Sequence, residues 1–413
     1  MNAPEVLTFG CRLNQFESEV MAGHAADSGV DLVIVNTCAV TKEAERQARQ
    51  AIGRVRRARP DTRIVVTGCA AQIDPQRWSA LAGVSRVIGN NEKLRAESWT
   101  PLALDSGDAV SDIMQDRASA APMVAGFTAR ARAFVAVQHG CDHRCSFCVI
   151  PFGRGPSRSM PAGAIVEQVR VLVRAGYREV VLTGVDLTSY GADLPGRPRL
   201  GQLARRLLAC APELARLRLS SLDPMEIDEE LWALLADEPR LMPHLHLSLQ
   251  AGSDLILKRM KRRHLAADAS SVIARARRAR PGVAIGADLI AGFPTESDAL
   301  FEETRAFVRT HALPYLHVFP YSARAGTPAA RMPQVPMAVR RARARTLRRE
   351  GEAAAASFHA AMLGETISVL LEGASMGHSA HFSPVRGELG ERGEIVRARV
   401  TQSDHAGLLA ERV

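Results

Sequence analysis

No apolar run in this 413-residue chain approaches the length needed to span a bilayer, which argues against a membrane-spanning helix. Nothing at the start resembles a secretory signal, because Met1 to Glu5 lead straight into an apolar, strand-like run with no basic region and hydrophobic segment behind it. A cytoplasmic protein is expected. Lysine is nearly absent, confined to Lys42, Lys93, Lys258 and Lys261, so the net charge of +9 is carried by arginine. That excess favours a polyanionic partner such as nucleic acid, whose phosphates release counterions when neutralised. A codon usage that writes arginine wherever a cation is tolerated would give the same count. Cysteine is sparse too, and seven thiols in so long a chain suit metal ligation or catalysis better than a disulfide framework.

With 46% hydrophobic and 23% charged residues, the composition is that of a globular protein of two or three domains rather than a disordered one. Over residues 1–104, short β-branched runs at Val6 to Phe9, Asp31 to Asn36 and Arg63 to Thr67 are each followed by polar helical sequence such as Lys42 to Arg57. The alternation predicts an α/β unit, a doubly wound parallel sheet. Residues 105–128 are small and polar without periodicity and read as a linker.

A second alternation, over residues 129–363, places strands at Phe134 to Gln138, Glu179 to Thr183, Arg216 to Ser220, His244 to Leu249, Val283 to Ile290 and Tyr315 to Phe319. Six strands with intervening helices fit a partial (βα)6 barrel, with its chemistry at the C-terminal strand ends. A long Ala- and Arg-rich helix follows, Pro336 to Leu363. Residues 364–413 return to β patterning at Thr366 to Glu372 and Glu394 to Thr401, with turns at Gly387, Gly390 and Gly393, and predict a small β-barrel.

The strongest motif is Cys141-x-x-x-Cys145-x-x-Cys148, just after a strand. Three soft thiolates on a short loop can hold three irons of a 4Fe-4S cluster and leave the fourth open. An open iron is what the amino and carboxylate groups of S-adenosylmethionine chelate, and reductive cleavage there yields a 5'-deoxyadenosyl radical. Phe147 would shield cluster or adenine from water. The competing reading is a Cys3His zinc site completed by His143.

Cys11, Cys38 and Cys69 are far apart in sequence, yet each follows one of the first three strands. In an open parallel sheet the carboxyl ends of the strands share one edge, so the three thiols should converge and hold a second cluster, with one iron open to a sulfur species. Gly10 and Gly68 permit tight turns there, and Asn14 and Asn36 are polar groups near the same edge. Taken singly, each cysteine is also a common small core residue. Cys210, on the Leu203 to Ala211 helix, reads as core filling.

Gly10-Cys11-Arg12-Leu13-Asn14, Asn36-Thr37-Cys38, Thr67-Gly68-Cys69 and the run from Gln138 to Cys148 together resemble the methylthiotransferase family over nearly the whole chain. The resemblance implies an N-terminal cluster domain, a radical S-adenosylmethionine barrel and a C-terminal RNA-binding barrel called TRAM. It also implies two 4Fe-4S clusters, two S-adenosylmethionine molecules per product, and a tRNA anticodon loop as substrate. The electron donor it implies is a reductant protein such as flavodoxin or ferredoxin; the sulfur donor stays unknown. Arg12-Leu13-Asn14 with Glu17, and Thr183 to Gly191, are most similar to the branch that methylthiolates N6-threonylcarbamoyladenosine at position 37. Rival acceptors are isopentenyladenosine and a ribosomal-protein aspartate, and a rival of another class is a non-catalytic RNA-binding protein with structural zinc. His139 departs from the carboxylate or amide of relatives, and the C-terminal barrel is short of aromatics for stacking bases.

Cofactor contacts are expected from Gly184 after the second barrel strand, Ser220, Ser221 and Asp223 after the third, and Gln250 and Ser253 after the fourth, although turns and helix caps use the same residue types. Arg259, Lys261, Arg262 and Arg263 form a basic cluster suited to tRNA phosphates. Arg340, Arg341, Arg343, Arg345, Arg348 and Arg349 form another, or else a solvated helix face.

Overall fold

A computed structural model describes residues 4–117, 122–127 and 130–413. Four parallel strands, β1 (Glu5–Thr8), β2 (Leu32–Thr37), β3 (Arg63–Gly68) and β4 (Val84–Val87), lie side by side in chain order. Successive side chains of a strand point to opposite faces, and β2 is buried throughout. Its Leu32 and Ile34 meet Met21 and Ala25 of the Arg12–Ala25 helix, while Val33 and Val35 meet Ala48, Ile52 and Val55 of the Lys42–Ala58 helix. Helices therefore cover both faces of the sheet. The second helix starts where the Thr41 hydroxyl accepts from the Ala44 N–H, and its Glu43 and Arg57 match the helix dipole at either end.

Strand β4 is additional to the three read from sequence. Its polar Ser85 and Arg86 interrupt the apolar run, yet Arg86 is buried and donates from Nε to the Gly107 carbonyl at 2.9 Å. The 105–128 stretch is also more structured than a plain linker. Ala109 bridges Ile88 in parallel, and Ile113, Val124 and Phe127 are buried; these few apolar residues lack a period and so escape pattern reading. Residues 118–121 and 128 of that stretch lie outside the described residues.

The central unit begins with β5 (Arg132–Ala136) and a short antiparallel pair, β6 (Gln138–His139) and β7 (Arg158–Ser159). Its wall continues through β8 (Glu179–Thr183), β9 (Arg216–Leu219), β10 (Ser221–Leu222), β11 (His244–Gln250), β12 (Ala284–Ala291) and β13 (Tyr315–Pro320). All the wall pairings are parallel, and the third of the six expected strands is split at Ser220 into β9 and β10, which divides the wall into two sheets. Leu217, Leu219, Leu245 and Leu247 join the main apolar core with helix residues such as Leu203, Leu207 and Ile273. Their alternates, Arg216, Arg218, His244 and His246, face the concave side.

The Met337–Ala360 helix leads to a closed five-stranded barrel of β14 (Thr366–Gly373), β15 (Met376–Ser379), β16 (Pro384–Arg386), β17 (Ile395–Asp404) and β18 (Gly407–Arg412). This small barrel seats on the N-terminal ends of the central strands: Arg216 Nη2 donates to Ser368 Oγ at 2.8 Å, and Arg132 pairs with Glu372. Among the described residues, no helix is long and apolar enough to cross a membrane.

Candidate active site

Cys11, Cys38 and Cys69 stand just beyond β1, β2 and β3, three neighbouring strands, so their loops share one edge. Gly10, at φ +98°, lets the first loop close over the second, because a Cβ there would lie 2.8 Å from Cys38 Sγ. Asn14 and Asn36 pin these loops from beneath. Asn14 Nδ2 donates to the carbonyls of Phe9 (2.7 Å) and Thr37 (3.1 Å), and Asn36 Nδ2 donates to the Asn14 carbonyl at 2.9 Å. Burial pushes the Cys38 thiol up to about 12, so it stays protonated until a metal displaces the proton, while Cys11 is exposed at the same edge.

The second set occupies the loop between β6 and the Ile150–Arg154 helix. Its middle is tied to the barrel by Ser146, whose Oγ donates to the Arg259 carbonyl at 2.6 Å and whose N–H donates to Met260 at 3.0 Å. Cys148 Sγ accepts from the Ile150 N–H at 3.4 Å, and Arg262 Nη1 lies 3.7 Å from Cys145 Sγ. Burial raises Cys148 to about 12 and Cys141 higher still, with Asp186 adding to the second. His143 Nε2 is 2.9 Å from Asp186, and hydrogen bonds to Asp186 and Glu226 lift it to about 10. Cys141, His143 and Asp186 present possible ligand atoms within 4.8 Å of one another, but His143 Nε2 is already engaged by the Asp186 carboxylate. Phe147 packs edge-on against Phe293, with ring centres 6.4 Å apart.

The two sets meet through Arg154, which sequence reading passed over. It closes the short helix that follows Cys148, and Gly153 beside it lies against Cys69 so closely that a Cβ would stand 3.1 Å from the Cys69 carbonyl oxygen. The buried Arg154 guanidinium donates from Nε to Cys69 Sγ at 3.1 Å, from Nη2 to Glu17 at 2.9 Å, and also to Asn14. Lys93 Nζ reaches the same Glu17 carboxylate at 2.7 Å. Burial alone would raise Glu17, but Arg154 and Lys93 hold it down to about 2. The only sequence signal for Arg154 was a cation soon after the cysteine loop.

The expected cofactor residues separate on inspection. Ser220 Oγ is buried without a partner at the end of β9, and Ser221 Oγ donates to Asp288 at 3.3 Å. Asp223 Oδ2 accepts from Arg262 Nη2 at 2.9 Å. Gln250 is half-buried, with φ +73°, at the end of β11. The space beside Gly184 is filled by Gln138, whose Oε1 lies 3.0 Å from where a Cβ would be. Ser253 is fully buried, and its hydroxyl goes to Glu303 on the Asp298–His311 helix.

The basic residues separate too. Arg262 is not a surface residue: its side chain is 8% exposed and joins Asp223, the Ser248 carbonyl and Cys145. Arg259 is held by Thr295 and Arg263 by Glu226, whereas Lys261 is exposed at φ +58°. In the other cluster Arg340 and Arg343 are buried ties to Tyr321, Glu296 and Asp298, and Arg341, Arg345 and Arg349 are exposed. Cys210 is half-exposed rather than core, because the buried stripe of Leu203, Ala204, Leu207 and Leu208 turns away from that position at the helix end.

Residues 135–308 match the Radical SAM superfamily and residues 5–89 match the uncharacterized protein family UPF0004. A radical S-adenosylmethionine methyltransferase from Kitasatospora setae, TsrM, superposes with a TM-score of 0.53 at 17% identity, covering 75% of this chain and 68% of its own, which speaks for the fold alone. The tRNA-2-methylthio-N(6)-dimethylallyladenosine synthase of Cereibacter sphaeroides is 36% identical across 99% of this chain and 98% of its own. The threonylcarbamoyladenosine tRNA methylthiotransferase MtaB of Bacillus subtilis is 36% identical across 79% and 74%. The enzyme of the same name from Rickettsia prowazekii is 50% identical across 92% of this chain and 90% of its own. With two thiol sets in place and half its residues shared over that length, the chain belongs to the MtaB family of tRNA methylthiotransferases.

Proposed function

We propose that this chain transfers a methylthio group to C2 of N6-threonylcarbamoyladenosine at position 37 of tRNA. Cys141, Cys145 and Cys148 hold a 4Fe-4S cluster that binds S-adenosylmethionine, and Cys11, Cys38 and Cys69 hold a second that bears sulfur. The carrying observation is Arg154, which stands one helix away from Cys148 and hydrogen-bonds Cys69, so the two thiol sets share one buried ionic tie. On this reading residues 1–104 are the cluster domain, 105–128 the linker, 129–363 the radical barrel with its trailing helix, and 364–413 a TRAM-like barrel.

The residues present fit both groups. Each thiol set offers three soft sulfur donors and receives N–H donors that favour thiolate, from Val40 and Arg154 in one and from Ile150 and Arg262 in the other. The unpartnered Ser220 hydroxyl at the strand ends fits a polar group of the nucleoside. When bound, the clusters and S-adenosylmethionine supply the one-electron chemistry and the sulfur that an unactivated aromatic carbon requires. The chain's own part is positional. Arg262 fixes Cys145 relative to Asp223, and Arg154 and Lys93 keep Glu17 ionised between the two sets. Lys261 and Arg263 are exposed and offer cations to the phosphates of an unstacked anticodon loop. The electron enters from a small reductant protein of the flavodoxin or ferredoxin class, in the cytoplasm where tRNA is modified.

The 50% relative carries the threonylcarbamoyl name and the dimethylallyl relative stands at 36%, which favours the first acceptor. Mass spectrometry of tRNA nucleosides from a strain lacking this gene tests the proposal: the 2-methylthio derivative of threonylcarbamoyladenosine should vanish and its precursor accumulate. Loss of the isopentenyl product instead would move the acceptor, and an unchanged nucleoside profile would remove the enzyme reading.

A further inference from the structure

We infer that the concave floor of the central barrel is an anion subsite, which takes the carboxylate at the end of the substrate's N6 substituent and has Arg12 as its principal ligand. The inference rests on the acceptor proposed above. Three guanidiniums surround one ring there: those of Arg12, Arg132 and Arg218 lie 5.8, 4.9 and 4.9 Å from the centre of Phe382, and the His244 ring lies at 5.1 Å. Phe382 is held at φ +71°, a left-handed conformation uncommon for a bulky residue, so the small barrel is shaped to deliver that ring.

The charges on this floor do not balance. Arg216 and Arg218 share Glu179 at 3.5 and 3.0 Å, Arg132 pairs with Glu372, and Asp288 is taken up by His246 (3.0 Å), His317 (3.3 Å) and Ser221 (3.3 Å). Four guanidiniums thus face three carboxylates. Arg12 is the unmatched one, with no hydrogen bond or ion pair to any described residue. Arg218 is 1% exposed, and its Nη1 and the Nε of Arg132 are buried without partners, so further donors are left for a ligand.

Position supplies the ligand's identity. Arg12 follows Cys11 directly, at the first turn of its helix, so an anion on Arg12 lies beside the sulfur-bearing thiols. In adenine, C2 and C6 flank N1, and a substituent on N6 that folds along the Watson–Crick edge comes to rest beside C2. The threonylcarbamoyl group ends in a carboxylate, which a planar guanidinium grips through two parallel hydrogen bonds; an isopentenyl group offers no charged atom.

The test measures binding of synthetic anticodon stem-loops to the cluster-loaded enzyme by fluorescence anisotropy. One loop carries threonylcarbamoyladenosine, one its methyl ester, one isopentenyladenosine and one plain adenosine. Wild-type enzyme should prefer the acid over the ester by about tenfold or more, and Arg12→Gln should shrink that ratio to within about twofold, with Arg12→Lys in between. The ester comparison needs no variant and so shows whether the carboxylate is recognised even if Arg12→Gln loses iron, and Arg12→Lys then reports on Arg12. Equal binding of acid and ester, an unchanged ratio in Arg12→Gln, or equal weakening on all four loops, which would mark a phosphate contact, each overturns the inference. If wild type instead prefers the isopentenyl loop, the acceptor reading itself falls; if it prefers the acid and Arg12→Gln keeps that preference, the inference falls and the acceptor reading stands.

Discussion

Cys141, Cys145 and Cys148 share one loop fastened to the barrel through Ser146, whereas Cys11, Cys38 and Cys69 come together only because β1, β2 and β3 pair side by side. The first site is local in the chain and the second is a product of tertiary structure. Loop sites of this kind depend on a few anchoring hydrogen bonds, while a site assembled from three strand ends depends on the whole sheet and on the tie through Arg154. The order of sensitivity follows from that contrast.

The largest effect is expected in catalysis. Cys38→Ala should abolish the thiomethylated nucleoside while S-adenosylmethionine is still cleaved, and Cys145→Ala should abolish both; product and 5'-deoxyadenosine are quantified together by mass spectrometry. Retention of product in Cys38→Ala would break the division of labour between the sites. Next in size is Arg154→Met, which leaves buried Glu17 with only Lys93 and the more distant His139 beside it and should destabilise the protein by about 3–5 kcal/mol in urea unfolding. A change within experimental error would show that the two sites are not mechanically joined.

Much of the architecture could be read in advance because each strand is a β-branched or alternating run followed by helix, and the six barrel strands appear within a few residues of their expected positions. The cysteines could be read for two reasons, local spacing in one set and a common topological position in the other. Arg154, Lys93 and the charged floor could not be read in the same way. A lone arginine or lysine carries no sign of burial, and Glu17 becomes the partner of Arg154 only when the sheet packs on the barrel, while it meets Lys93 within the N-terminal unit. The floor did leave a trace, Arg216-Leu-Arg218-Leu and His244-Leu-His246-Leu, whose alternation places charge on one face and leucine on the other. Arg262 misled for the opposite reason: it sits in a run of surface-type residues but turns inward to Asp223.

A third prediction sharpens the tie by pH. Glu17 is held at about 2 in the folded protein against an ordinary value of 4.5, so its contribution to stability is present above 4.5 and is lost as pH falls from there toward 2. Denaturation midpoints measured across that window should fall less steeply in Glu17→Gln than in wild type. The smallest effect is expected at the surface. Lys261→Ala should weaken tRNA binding to all sequences alike and reduce the salt dependence by about one counterion, measured as the slope of log affinity against log salt.

The most direct test of two separate thiol-held clusters is the iron and sulfide content of anaerobically reconstituted protein in which Cys11, Cys38 and Cys69 are all replaced by Ala. Half the wild-type iron and sulfide, with the spectrum of a single 4Fe-4S cluster that still responds to S-adenosylmethionine, is the expected result. Unchanged iron, or zinc in place of iron and sulfide in the wild-type protein, would contradict it.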